Sequence, residues 1–269
     1  MTDFHGQVVW ITGATAGLGR AMAREFARRG ADVAVSGRRE DRLAEVVAEI
    51  EGLGRRGLAV PCDVRREEDV AAAVARVVEV FGRLDVAVAN AGFGVVGRVE
   101  SLSLEAWRRQ FDTNLFGAVA VARHSLPELR RTKGRLALVG SVAGLLPSPR
   151  TAAYTASKFA LRAVGLTLTQ ELHGSGVSCT LLNPGFVATE IGQVDNAGMY
   201  DGSRRDERPA GLMWTADEAA RVMVRAIARR RREYTFTVHG KIGAFLGQHF
   251  PGLVCWLMRD AGRRPAKEA

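Results

Sequence analysis

Residues 7–19 read QVVWITGATAGLG, and this stretch decides the fold. An apolar run from Gln7 to Thr12 passes at once into a glycine-rich turn, and an amphipathic helical pattern continues from there to Arg29. A glycine-rich turn between a buried strand and a helix N-terminus lets the backbone approach a pyrophosphate, which the first helical N–H groups receive. A Cβ at such positions blocks the ligand or demands an unfavourable φ. Gly13, Thr15, Ala16, Gly17, Leu18 and Gly19 are therefore candidate dinucleotide contacts.

Working outward, the strand–helix unit repeats. Strands are expected at 32–36, 57–61, 85–89, 134–140, 177–182 and 234–238, with helices at 39–53, 66–81, 103–130, 152–173 and 216–231. The strands are near-continuous apolar runs, as parallel strands covered on both faces require. Their alternation with helices predicts an α/β fold, a doubly wound parallel sheet in a single domain. Residues 1–240 form this domain, and 241–269 are read as a C-terminal apolar and basic extension.

Ligands of such sheets sit beyond the carboxyl ends of the strands. There the second strand ends in Ser36-Gly37-Arg38-Arg39, with no Asp or Glu to accept a hydrogen bond from a free ribose 2′-hydroxyl. Arg38 and Arg39 suit the 2′-phosphate of NADP(H), because guanidinium pairs with phosphate bidentately. Asp63 and Val64 follow the third strand, where a carboxylate meets an adenine amino group. Asn90, Ala91 and Gly92 end the fourth strand, small enough for the chain to pass close to an adenosine ribose. After the sixth strand, Pro184 and Gly185 turn the chain outward, so that Thr189 is expected to reach a nicotinamide carboxamide, with Val187 a further cofactor contact. Residues 190–213 lose all periodicity, and a long irregular segment inside a compact domain reads as a lid. Asn114 lies in a mostly apolar helix; spacing alone favours a structural hydrogen bond to a neighbouring strand for its buried amide.

Chemistry is carried by residues 141–158, SVAGLLPSPRTAAYTASK. Tyr154 and Lys158 stand one helical turn apart on one face. A free phenol, with a pKa near ~10, is a poor acid or base at neutral pH, and an adjacent cation pulls that value down. Bringing it to about 7 takes roughly 4 kcal/mol, which one lysine plus a cationic cofactor ring can supply. Ser141 adds a neutral hydroxyl to orient a substrate oxygen.

The formal net charge is +9, and almost all of the basic residues are arginine, the lysines being Lys133, Lys158, Lys241 and Lys267. Arg229–Arg232, the densest run, is expected to close a helix, where it suits the negative end of the dipole. Aromatic residues are not interleaved with the basic ones, which argues against nucleic acid. Cys62, Cys179 and Cys255 are far apart with no CxxC pair, and read as buried thiols in a reducing compartment. No metal is expected. The start, MTDFHGQVVW, leads straight into a strand without a signal-peptide pattern, so a cytoplasmic protein is expected.

Taken together, TGxxxGxG at Thr12–Gly19, NAG at Asn90–Gly92, Ser141, YxxxK at Tyr154–Lys158 and PG at Pro184–Gly185 resemble the short-chain dehydrogenase/reductase family, in order and over roughly residues 5–240. The resemblance implies one Rossmann-like domain with a seven-stranded sheet, commonly paired into a homodimer or homotetramer through the helix bearing Tyr and Lys. It makes Tyr154 the general acid/base, Ser141 the residue that orients the substrate, and Lys158 the residue that tunes the phenol and holds the nicotinamide ribose. It also gives Asn114 a catalytic part, the holding of a proton-relay water. The implied reaction moves a hydride between NADP(H) and a carbonyl or carbinol carbon of a small molecule, with ketone or aldehyde reduction favoured. Two alternatives stand beside it: reduction of a β-ketoacyl thioester on an acidic carrier, and an NADP(H)-sensing module without chemistry.

The segment Ile242–Met258 contains no Asp, Glu, Lys or Arg, and is flanked by Lys241 and Arg259. It is about the minimum length of a span, but Pro251 interrupts it. Three readings stay open: a cover over the domain's own apolar surface, a subunit contact, or an interfacial helix pair on a membrane.

Overall fold

A computed structural model describes residues 4–206 and 208–259. The first three residues of the amino-terminal stretch, Glu207 within the irregular segment, and 260–269 of the expected extension lie outside the described residues.

Seven parallel strands form one sheet in the order β3-β2-β1-β4-β5-β6-β7. They are β1 (Val8–Thr12), β2 (Asp32–Gly37), β3 (Gly57–Pro61), β4 (Val86–Ala89), β5 (Arg135–Val139), β6 (Ser178–Asn183) and β7 (Glu233–Thr235). Strand alternation sends Val9 and Ile11 of β1 to one face and Val8 and Trp10 to the other. The first face is covered by α1 (Gly17–Arg28), α2 (Glu40–Glu51) and α7 (Ala216–Ala228), through Phe26, Leu43 and Met223 among others. The second is covered by α3 (Glu67–Phe81), α5 (Gly117–Thr132) and α6 (Ala152–Glu171), through Val77, Val121 and Leu161. Burying a side chain of this size contributes about 1.5–3 kcal/mol, so two such layers specify the sheet. The chain leaves β1 toward β2 on one side while β4 pairs on the other, with Ile11 opposite Val88 and Thr12 opposite Ser36. That divergence opens a crevice at the carboxyl ends.

Three elements and one cysteine depart from the sequence reading. The helix expected over 103–130 is α4 (Leu104–Phe111), a π-helical turn (Asp112–Phe116) and then α5. The wider turn carries Asn114 into the interior, at 1% exposure. Gly117 begins the next helix where any Cβ would stand 2.7 Å from Val64 Cγ2. The strand expected over 234–238 stops at Thr235, because Thr237 leaves the sheet to cap α8 (Val238–His249), its hydroxyl accepting from Gly240 N at 3.2 Å. The helix expected to reach residue 231 ends at Ala228, so the arginine run lies beyond it. Arg230 takes φ 51° there, and its guanidinium donates to the carbonyls of Lys133, Gly134 and Gly176. Finally, Cys62 and Cys179 are buried as expected, whereas Cys255 is exposed on α9 (Pro251–Met258).

The apolar tail folds as α8 and α9. Gly243 and Gly247 bring α8 onto Leu145 and Leu146 in the turn that follows Ser141. Ile242, Phe245, Phe250, Leu253, Trp256 and Leu257 stay exposed. No helix among the described residues is long and apolar enough to cross a membrane.

Candidate active site

The crevice is a cavity of about 720 Å³. Gly13 and Gly17 shape its floor at φ +64° and +53°, the left-handed region in which a Cβ costs roughly 1–2 kcal/mol. Contacts tighten the requirement, since a Cβ on Gly13 would lie 2.6 Å from Ala91 Cα and one on Gly17 3.0 Å from Thr189 Cβ. Asn90 joins the two central strands, its Nδ2 donating to the carbonyls of Thr12 and Gly13 at 2.9 and 3.0 Å. Helix α1 starts at this floor with no side-chain cap and no acidic residue in its first turn. Its first N–H groups and the positive end of its dipole therefore face the cleft, as a pyrophosphate site requires. The donor set fits a dinucleotide.

Of the sequence-predicted residues, those of the glycine-rich turn through Leu18, both arginines, Asp63 and Val64, Asn90–Gly92, Ser141, Tyr154, Lys158, Pro184, Gly185, Val187 and Thr189 all line the one cavity. Three do not. The Ser36 hydroxyl is fully buried and accepts from Trp10 Nε1 at 2.8 Å, because alternation along β2 turns it into the core. Gly19 lies behind the turn, where a Cβ would meet Gly13 O at 2.4 Å; its part is close helix packing. Asn114 stands behind the wall and holds the Phe93 backbone from both sides, Oδ1 accepting from Phe93 N at 3.1 Å and Nδ2 donating to Phe93 O at 3.0 Å.

The reactive group sits where β5 ends and α6 begins. Ser141 Oγ accepts from Ala143 N at 3.1 Å and lies beside the Tyr154 phenol. Burial pushes that phenol above its ordinary range, opposed by the Ser141 hydroxyl and by the charge of Arg208. This net direction is opposite to the lowering expected from Tyr-Lys spacing. The physical reason is the burial of the phenol itself; Lys158 is also buried, at 4% exposure, and its Nζ donates to Val139 O at 2.8 Å. Burial lowers the lysine to about 8. With the cleft as it stands, both charged forms are disfavoured by the same low-dielectric wall.

Around the rim, Arg38 donates to Gly198 O at 2.8 Å, and Arg39 donates to Thr15 Oγ1 at 2.9 Å and Glu190 Oε2 at 3.0 Å. Burial favours protonated Asp63, but the Arg65 fork outweighs it and holds the carboxyl below its usual range. Of the irregular segment, Glu190, Ile191, Val194, Ala197, Gly198, Met199, Tyr200 and Arg208 line the cleft. Asn196 bonds the Val96 backbone reciprocally, at 2.9 Å both ways, and Arg208 donates to the carbonyls of Val187 and Thr189 at 2.9 and 3.0 Å. Phe93, Arg109, Glu190 and Arg208 line the cavity without having been predicted. Arg109 sits on the helix expected from 103 and Phe93 follows the Asn90–Gly92 turn, but neither position was singled out; only the length of the irregular stretch marked the last two.

A cleft at the switch point of a parallel sheet, with an uncapped helix N-terminus at one end and a Ser-Tyr-Lys group at the other, defines a nucleotide-dependent oxidoreductase. The chain belongs to the short chain dehydrogenase family, whose model matches residues 7–199. It is 34% identical over 264 residues to "11-beta-hydroxysteroid dehydrogenase A" of Sesamum indicum, covering 96% of this chain and 76% of that one. Among solved structures, a short chain dehydrogenase/reductase from Burkholderia phymatum in complex with NAD superposes with a TM-score of 0.82 at 27% identity, covering 100% of this chain and 99% of the other. An alcohol dehydrogenase from Thermococcus sibiricus complexed with 5-hydroxy-NADP gives 0.75 at 30% identity, over 86% of this chain and 96% of that one. The protein is accordingly an NAD(P)-dependent enzyme acting on carbonyl and alcohol groups.

Proposed function

We propose that this enzyme is an NADP(H)-dependent reductase of apolar ketones or aldehydes, working reversibly on the matching secondary or primary alcohols. The observation that carries the reading is the placement of Arg38 and Arg39 at the end of β2, on the wall of the same cavity that Tyr154 lines. In this reading the first turn of α1 holds the pyrophosphate, the two arginines the 2′-phosphate, Asp63 the adenine amino group, and Val187 and Thr189 the nicotinamide side. A bound nicotinamide supplies or accepts the hydride at the substrate carbon. Tyr154 Oη gives its proton to the carbonyl oxygen during reduction and takes it back in the reverse direction. For that step a phenol kept protonated by burial is the correct starting form. Ser141 Oγ orients the substrate oxygen, and Lys158 Nζ favours the phenolate left after transfer. Asn114 positions the Phe93 wall, and the residues from 190 to 213 close the cleft as a lid that excludes water.

Phe93, Ile191, Val194 and Met199 line the cavity, which supports an apolar substrate, in keeping with the hydroxysteroid named for the sesame relative. Self-association through α6 belongs to the same reading, supported by exposed Phe159 on that helix and exposed Phe116 beside it. The test is NADPH consumption by purified protein against a panel of apolar ketones and aldehydes, repeated with NADH. Turnover with NADPH in preference to NADH supports the reading; a preference for NADH or no turnover on any carbonyl overturns it.

A further inference from the structure

The wall that takes the cofactor's ribose holds an anion of its own. Among the described residues, the carboxylates lining the cavity are Asp63 and Glu190. Asp63 is forked by Arg65 Nε at 2.9 and 3.0 Å, on the far side of β2. Glu190, the first residue after Thr189, reaches back to Arg39 and holds its Nη2 at 3.0 Å. Thr15 of the glycine-rich turn accepts from the same nitrogen at 2.9 Å, and the Tyr200 ring lies under the guanidinium at 5.7 Å. Arg39 is thus already arranged around a carboxylate, at the place where a 2′-phosphate is expected.

We propose that Glu190 is a specificity-determining residue for the 2′ position of the cofactor, occupying Arg39 as a phosphate would and so narrowing the preference for NADP(H) over NAD(H). The inference rests on the reading that Arg39 receives the 2′-phosphate. A free ribose 2′-hydroxyl can donate to the Glu190 carboxylate, the service that an acid at the end of β2 renders in NAD-binding sheets. A 2′-phosphate carries about −1.5 to −2 charges, repels the same carboxylate and must displace it from Arg39. The carboxylate missing from the end of β2 is therefore supplied from across the cleft. Both partners are partly exposed, at 35% and 26% of their side-chain surface, so the effect is several-fold rather than decisive.

Binding of 2′,5′-ADP and 5′-AMP to the full chain tests this by calorimetry, without turnover. The proteins are wild type, Glu190→Gln, Arg39→Ala and the double variant, with Glu190→Ala as a second probe and thermal midpoints to confirm folding. Glu190→Gln is expected to tighten 2′,5′-ADP about three- to fivefold and to leave 5′-AMP unchanged or weaker, the scale of one exposed ion pair. Glu190→Ala is expected to move 2′,5′-ADP in the same direction. The gain is expected to vanish in the Arg39→Ala background, since it acts through that guanidinium. Unchanged or weaker 2′,5′-ADP binding in folded Glu190 variants, or an equal gain without Arg39, overturns the role of Glu190. Arg39→Ala that leaves 2′,5′-ADP binding intact overturns the cofactor reading itself, so the two failures are distinguishable.

Discussion

Lys158 follows Tyr154 by one turn of α6, yet its ammonium donates to the Val139 carbonyl at the end of β5, at 2.8 Å, and lies 5.9 Å from the centre of the phenol ring. One lysine thus ties α6 to the sheet and places its ammonium beside the phenol. Its removal affects position and electrostatics together, which separates it from the tyrosine it serves.

Tyr154→Phe removes the transferable proton and almost no volume. Turnover is expected to fall at least about 100-fold while NADPH binding stays nearly intact. Steady-state kinetics with a fluorescence titration of NADPH measure both. A Phe variant retaining more than about a hundredth of the wild-type rate refutes the assignment. Lys158→Ala is expected to lose both turnover and binding.

The buried ammonium also leaves a signature in stability. Lys158 titrates near 8 in the folded chain and near its ordinary 10.5 when unfolded. Between these values the unfolded chain binds more protons, so the lysine's cost to folding is full below pH ~8 and disappears as pH rises toward ~10.5. Relative to Lys158→Met, the wild type is expected to gain up to about 3 kcal/mol across that window. Urea denaturation of both proteins at pH 7, 8, 9 and 10 reads it; a pH-independent difference counts against the burial argument.

In the proposed reading, Arg38→Ala combined with Arg39→Ala removes two charge-assisted contacts to the 2′-phosphate, worth roughly 1.5–3 kcal/mol each. The ratio of kcat/KM for NADPH to that for NADH is expected to fall at least tenfold. Rates with NADH should change little, because neither arginine is needed for a free 2′-hydroxyl.

Gly13→Ala places a Cβ 2.6 Å from the Ala91 backbone in a residue held at φ +64°. Strain of about 1–2 kcal/mol from the left-handed conformation alone predicts a lower melting temperature. Displacement of the turn predicts a further loss of NADPH affinity. A variant with wild-type melting and affinity would show that the turn yields freely.

Truncation after Gly240 strips α9 and all but the first three residues of α8 from Leu145 and Leu146, a few residues beyond Ser141. The shortened chain is expected to melt at lower temperature and to lose kcat through a loosened Ser141 turn. Unaltered melting and kinetics would make the tail dispensable to the core.

Residues 7–19 and the apolar strands that follow determined the sheet and its cleft, because parallel strands buried on both faces leave a continuous apolar trace in the chain. The same local grammar placed Tyr154, Lys158 and Ser141, and the glycines whose φ and contacts admit no side chain. It failed where side chains from distant segments compete for one another. Ser36 reads as a cofactor contact, but Trp10 claims its hydroxyl; Asn114 is buried as expected, yet its amide is held by the Phe93 backbone beyond β4 rather than by a strand. Tertiary structure alone decided that burial raises the Tyr154 phenol and that Arg208 opposes this with its charge from the irregular segment. It also brought Glu190 across the cleft to Arg39, a pair 151 residues apart in sequence. No periodicity connects such residues, since hydrophobic patterns specify which face is buried, while polar partners at a cleft are chosen by where loops end in space.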